Sequence, residues 1–386
     1  MKRRTLLRVA GATVGGMAAG VGLSGCVKSS TQTTGSDGQT AVTVLISADT
    51  NIQDLWQKSL IPGFTAAHPD IAVNINFDLH GEHDSQNLAK LSASVQGKTD
   101  PGFDLIDGGF VSQAAEAKLL EPQSASTLPA LSTVPETLVA QGKGAGVPYR
   151  ASSVLLAYNG AKVSDPPKTL DDLLEWVKTH PGRFAYNSPK SGGSGSAFVA
   201  TVLDANMPTD VQQKMRVAYD QDLEKHWDAG FAVLRSLNPH VYGKGVYPNG
   251  NAQVLELLGG GEIDLAPVWS DQFLTGQTNG QIADTVKVTQ ISNPTFTGGG
   301  SYLGLASTSQ HKEAAQKLLE YVLGAEAQTK IANDIAGYPV IPLTELPEDV
   351  QKRFADTKPD QLRPGYYSEF SNDMNNLWDS KVPGQA

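Results

Sequence analysis

The stretch AVTVLISADTNIQDLWQKSLIPGFTAAHPDIAVNINF, residues 41–77, decides the fold. Val42-Thr43-Val44-Leu45-Ile46 is a short apolar, largely β-branched run and reads as a buried strand. The spacing predicts a helix from about Asp54 to Phe64, closed near His68-Pro69 because the residue before a proline disfavours helix. Ile71 to Phe77 then alternates as a second strand does. Downstream the pattern continues with a helix over Asn87 to Val95, a strand over Phe103 to Ile106 and a helix over Val111 to Leu119. Strands alternating with helices predict an α/β fold with a mainly parallel sheet. Ligands of such sheets bind in loops past the strand ends, here Ser47-Ala48-Asp49, Leu79-His80 and Asp107-Gly108-Gly109.

The second half alternates in the same way with other lengths and without an internal repeat. Thr169 and Asp172 form a capping-box pattern for a helix over Leu170 to Lys178, just after Pro166-Pro167. His311 to Leu323 is an amphipathic helix stopped by Gly324, and Ala325 to Ile335 is a second one stopped by Gly337.

Working back to the start, Lys2, Arg3, Arg4 and Arg8 precede a small-residue-rich, weakly apolar run from Leu6 to Leu23, the order of a secretory signal. The chain has one cysteine, Cys26, so no internal disulfide is available. Leu23-Ser24-Gly25-Cys26 resembles the lipobox of bacterial lipoproteins, which implies cleavage before Cys26 and a lipid on its thiol. Arg3-Arg4-Thr5-Leu6-Leu7 resembles a twin-arginine export signal, with Leu6 where phenylalanine is usual. Residues 1–25 are thus expected to be a signal peptide, and residues 26–40 a lipidated cysteine with a polar tether. The expected location is the outer face of a cell membrane, extracellular or periplasmic.

Those first 25 residues hold four of the 30 basic residues and none of the 40 acidic ones, so the remaining 361 carry 26 against 40, a net charge near −14. That argues against nucleic acid or an anionic membrane surface as a partner. With 40% hydrophobic and 18% charged residues, the chain is globular and long enough for two domains.

Three segments, in order, carry a family resemblance. They are Gly146-Val147-Pro148-Tyr149-Arg150 with Leu155 to Asn159 and Pro166 to Leu173; Gly261 to Ala266 with Trp269; and Lys312 to Ala315 through Tyr321-Val322-Leu323 to Glu326-Ala327-Gln328. Together they resemble the extracellular solute-binding proteins of bacterial ABC importers, whose members bind maltose, iron, polyamines or thiamine. His180 to Phe184 with Gly195 to Val199 resembles a branch near the thiamine and iron binders. The resemblance implies an α/β, two-lobed periplasmic-binding-protein-like fold (type II) with a hinge and an interlobe cleft. One lobe would hold 41–149 and 292–337, the other 150–291 and 338–386. It also implies a small-molecule solute, an ABC permease as partner, a monomer, no cofactor and no catalysis.

Candidate site residues follow the strand ends. Asp49, Asp107 and the cluster Leu79-His80-Gly81-Glu82-His83-Asp84-Ser85 all lie just past strands, with Asp84 or Ser85 equally suited to capping a helix. His80, Glu82 and His83 have the chemistry of metal ligands but no recognised spacing, and no metal is expected. Ser191 to Ser196, with Ser194 and Ser196, precedes a helix expected from Ala197, a site for an anion or a plain flexible loop. It lacks the last glycine of Gly-x-Ser-x-Gly, so it is no esterase elbow. Trp269 and Asp271 offer a ring face and a carboxylate for an organic cation or a sugar, and Tyr149, Tyr247, Asn249 and Tyr302 are further candidates. Arg150 suits a phosphate or carboxylate. Tyr366-Tyr367 resembles a tyrosine pair that holds iron in some relatives, but its place in the C-terminal tail sets it away from the expected cleft. Asp49, Asp84, Asp107 and Asp271 around one cleft point to a cationic or zwitterionic solute. A secreted hydrolase is the alternative, and it would need an assembled nucleophile and base. A structural surface lipoprotein, with no ligand, is the other.

Overall fold

The computed structural model describes residues 39–79, 81–355 and 362–384. The signal, Cys26, His80 and nearly all of the tether lie outside them. Order begins slightly before Ala41, because β1 (Thr40–Ala48) already pairs at Thr40 and the Gln39 side chain donates to the carbonyl of Pro69 at 2.6 Å. One helical run follows from residue 50: α1 (Thr50–Leu55), a π turn (Trp56–Leu60) and α2 (Ile61–Ala67). The π turn leads into Pro62, which has no N–H to return to the preceding turn. The run is broken at His68 before Pro69, as expected, and β2 (Ile71–Leu79) follows.

Next come α3 (Asp84–Gly97), β3 (Leu105–Gly108), α4 (Val111–Glu116), α5 (Glu136–Gln141) and the long strand β4 (Gly146–Asn159). In α6 (Leu170–Thr179), Thr169 Oγ1 accepts from the Asp172 backbone N–H while the Asp172 carboxylate accepts from that of Thr169, both at 3.1 Å, the reciprocal cap its sequence spells out. The middle is helical: α7 (Gly193–Ala205), α8 (Thr209–Val217), α9 (Asp228–Ser236) and α10 (Gly250–Gly259). Then β5 (Leu265–Trp269), α11 (Ser270–Thr278), β6 (Val286–Thr289) and β7 (Gly298–Leu305) lead to α12 (Lys312–Val322), α13 (Ala325–Asp334), α14 (Glu348–Phe354) and α15 (Ser368–Lys381).

The strands are ordered β2-β1-β3-β7-β4-β5, with β6 also on β4. Only β1/β2 and β1/β3 are parallel, and the pairings of β7 and β4 are all antiparallel. The mainly parallel sheet expected from the first 119 residues is therefore a mixed one. The reason is β4, which runs through both halves, with β7 returning beside it in the opposite sense.

The two largest hydrophobic cores are separate, as a two-lobed α/β fold requires. The first gathers Val44, Ile46, Trp56, Phe64, Leu105, Val147, Leu303, Leu318 and Ile331, and the second gathers Leu156, Leu173, Phe184, Phe198, Trp227, Leu265, Phe370 and Trp378. Strand β4 joins them: residues 146–153 pair with β7, and from Val154 onward the strand pairs with β5 and β6. A bulge between Pro148 and Arg150 interrupts the β7 pairing at Tyr149, re-aiming side chains where the strand leaves the first core. Tyr338 exchanges backbone hydrogen bonds with Ala151 at 3.0 and 2.8 Å, so a further chain segment joins at this junction. Among the described residues, no helix is long and apolar enough to cross a membrane.

Candidate functional site

A cavity of about 810 Å³ opens between the two cores. Strand β7 forms part of its wall with Gly298-Gly299-Gly300-Ser301-Tyr302, beside Ser152 of β4. From the first core's side it is lined by Asp84 and Ser85 at the start of α3, Phe110, Gln113 and Glu116 of the α4 region, Gln141 at the end of α5 and Lys143 just after it. From the second core's side come Gly193 and Ser196 of α7, Arg216 of α8, Trp269 at the end of β5, and Tyr366, Tyr367 and Ser371 of the C-terminal segment. A Cβ on Gly193 would stand 3.0 Å from the Trp269 ring, so glycine there lets the helix approach the indole.

The sequence candidates divide into three groups. Asp84, Ser85, Ser196, Trp269 and Tyr302 line the cavity. Asp84 accepts from Ser47 Oγ, and burial pushes its carboxyl up to about 6, against that hydrogen bond and with some help from nearby Asp78. Ser196 Oγ donates to Asn375 Oδ1 at 3.2 Å. Tyr302 donates its hydroxyl to the Leu138 carbonyl at 3.1 Å.

A second group is joined by an internal network outside the cavity lining. Buried Asp107 accepts from Trp56 Nε1 at 2.8 Å and from the Tyr149 hydroxyl at 2.6 Å. That hydroxyl accepts from Arg150 Nε at 2.9 Å, and Arg150 Nη1 reaches Asp271 Oδ2 at 3.3 Å. Burial works against the charge on Arg150, but Tyr149, Asp271 and Asp107 around it hold its pKa above the ordinary value. The chain Trp56–Asp107–Tyr149–Arg150–Asp271 thereby ties the first core to α11 of the second. Asp49 reaches across as well, accepting from Asn251 Nδ2 at 3.3 Å and from Gln272 Nε2.

The third group caps or packs. Helix α7 begins at Gly193, earlier than Ala197. Its first N–H groups already have acceptors: Ser194 N–H donates to Asn251 Oδ1 at 3.2 Å and Gly195 N–H to Asn187 Oδ1 at 3.0 Å. Ser194 is buried, and its hydroxyl lies 2.8 Å from both amide oxygens. Tyr247 donates to Asn238 and packs on Tyr186 and Trp378, while Asn249 stands before α10. Exposed His83 holds Asp78 Oδ1 at 2.8 Å, and that hydrogen bond raises its pKa. Among the described residues, no group of three or more His, Cys, Asp or Glu is placed to hold a metal ion.

Tyr366 and Tyr367 overturn the expectation that the tail lies away from the cleft. Phe370, Met374 and Trp378 of α15 enter the second core, which brings the tyrosine pair into the cavity wall. Tyr367 donates its hydroxyl to Glu116 across the cavity, Glu116 pairs with Lys143 at 3.3 Å, and the Lys143 ammonium stands 6.0 Å from the Tyr367 ring centre. Sequence reading also missed Glu116, Gln141, Lys143 and Arg216, which lie on surface-type helical stretches and loops with no motif around them. The charged residues lining the cavity are thus Asp84 and Glu116 against Lys143 and Arg216.

Known proteins share this fold. The family profile described as bacterial extracellular solute-binding protein matches residues 60–356. No curated protein matches the chain in sequence. Among solved structures, a putative extracellular solute-binding protein from Bordetella parapertussis is 17% identical, with 89% of this chain and 98% of that one covered at a TM-score of 0.65. A GABA receptor superposes at a TM-score of 0.66 with 18% identity over 90% and 98% of the two chains. The ferric binding protein from Campylobacter jejuni does so at 0.63 with 16% identity over 88% and 98%. At these identities the structural likeness establishes the two-lobed fold, and the family match covers most of the chain. The chain belongs to the bacterial extracellular solute-binding protein family.

Proposed function

We propose that this protein is a lipid-anchored receptor that captures a small zwitterionic organic solute and delivers it to an ABC import permease. The carrying observation is the cavity between the lobes, whose lining sets Asp84 and Glu116 against Lys143 and Arg216 beside the rings of Phe110, Trp269, Tyr366 and Tyr367. A volume of about 810 Å³ suits a metabolite-sized ligand. Balanced charges favour a zwitterion over a net cation, and ring faces favour its cationic group. Family membership favours a receptor over a secreted hydrolase.

The anchor would be the lipid on Cys26, with the tether before β1 separating it from the folded body. The lobes would be 41–149 with 292–337, and 150–291 with 338–386, closing about the β4 junction as solute touches both. The test is thermal stabilisation by a panel of amino acids, amines, sugars and inorganic anions, with solution scattering on each hit. Stabilisation by zwitterions, without turnover and with a smaller radius of gyration, is expected. Stabilisation by sugars or inorganic anions alone overturns the reading.

A further inference from the structure

Two arginines share one carboxylate on the second lobe's wall. Arg216 Nη2 donates to Asp204 Oδ2 at 2.5 Å, Arg363 Nη1 donates to the same oxygen, and the Tyr366 hydroxyl donates to Asp204 Oδ1 at 2.7 Å. Arg363 is fully engaged, with Nε on the Thr295 carbonyl at 2.5 Å and Nη2 on Thr201 Oγ1 at 2.6 Å. Arg216 uses Nε on the Pro364 carbonyl at 3.2 Å, and its Nη1 has no protein partner among the described residues. Of the two arginines it is Arg216 that lines the cavity, its guanidinium 6.0 Å from the Tyr366 ring centre. The cluster therefore holds two positive charges against one negative. Burial, and after it the neighbouring Arg216, pushes the Arg363 guanidinium down from its ordinary value in spite of Asp204. Tyr366 supplies none, since burial and Asp204 keep its hydroxyl protonated.

We propose that Arg216 is the specificity-determining residue of the cavity and receives a carboxylate of the solute through its unpartnered Nη1 edge, with Asp204 fixing the guanidinium in place. The assignment rests on the receptor reading above and names which end of the solute meets which lobe. A single surplus charge matches a monoanion better than a phosphate dianion. Asp204 takes an Nη2 N–H and the Pro364 carbonyl takes the Nε N–H, so the guanidinium is oriented before the solute arrives. Ser368, Ser371 and Asn372 line the same wall and supply neutral polar neighbours.

The test is a matched panel of α- and ω-amino acids, each beside its carboxamide, its decarboxylated amine and its aminoalkyl phosphate counterpart. Binding to the full mature protein is read by thermal shift and calorimetry. Wild-type protein is expected to bind the acids about 10- to 100-fold more tightly than the amides, the scale of one hydrogen bond to a charged partner. Arg216→Gln should lose that preference while still folding, because it leaves Asp204 and Arg363 as a balanced pair, and Arg216→Lys should keep part of it. Equal binding of acids and amides, preference for the phosphates, or an acid preference surviving in Arg216→Gln overturns the assignment while the receptor reading stands. If no panel member binds, both fall. Should Arg216→Gln fail to fold, the wild-type comparison of acids with amides decides alone.

Discussion

Replacing Asp84 by asparagine should stabilise the empty protein at neutral pH. The Asp84 carboxyl titrates near 6 in the fold against an ordinary 3.8, because burial at the cavity wall disfavours its charge. The folded state therefore keeps the proton between about pH 4 and 6, where the unfolded chain has lost it, and stability falls as pH rises through that window and is level above it. About two units at 1.36 kcal/mol each give a cost near 3 kcal/mol for the ionised group, which residual solvent contact lowers to about 1–3 kcal/mol. Asparagine keeps an acceptor for Ser47 Oγ without the charge. Urea unfolding at pH 4 and pH 7 measures the difference: the variant should be more stable at pH 7 by about 1–3 kcal/mol and nearly equal at pH 4. An amine-bearing ligand should bind wild-type protein more tightly as pH rises from 5 to 7, and the variant with no such slope. A variant no more stable than wild type at pH 7, or favoured equally at both pH values, refutes the reasoning.

Three other changes test other links. Arg150→Met leaves two buried carboxylates without their cation and should cost about 3–5 kcal/mol in urea unfolding, part of it regained by adding Asp271→Asn; strict additivity of the two changes would show that the pair is not coupled. Trp269→Ala should weaken solute binding by about 1–3 kcal/mol by calorimetry, and unchanged affinity would remove the indole from the site. Cys26→Ala should release the mature protein from membranes or leave it uncleaved; a membrane-bound variant of normal processed mass contradicts the lipid anchor.

The opening of the fold was legible because its signals are local. The alternation in residues 41–77 fixes β1, the helical run and β2, and Thr169 with Asp172 fixes the start of α6. Strand β7 was not legible: GGGSYLGL has little β-propensity, and its place between β3 and β4 depends on partners far off in sequence. Of four aspartates expected around one cleft, Asp84 lines the cavity, whereas Asp107 and Asp271 turn into the Tyr149–Arg150 network and Asp49 spans to Asn251 and Gln272. A loop position after a strand tells where a carboxylate begins, not which buried donor claims it. Tyr366 reaches Asp204 across 162 positions of sequence, a contact that no local pattern announces.

The glycine run in β7 has a practical consequence. A Cβ placed on Gly299 meets nothing within 4 Å, whereas one on Gly298 runs into the Ser152 carbonyl at 2.8 Å and one on Gly300 into the Tyr302 hydroxyl at 2.7 Å. Position 299 is thus a tolerant attachment point on the cavity wall. Cys26 is the chain's only thiol, so a form starting after it and carrying Gly299→Cys would take an environment-sensitive dye at a single defined place. Solute entry would then be read as a change in emission, turning the receptor into an optical sensor for its own unidentified cargo.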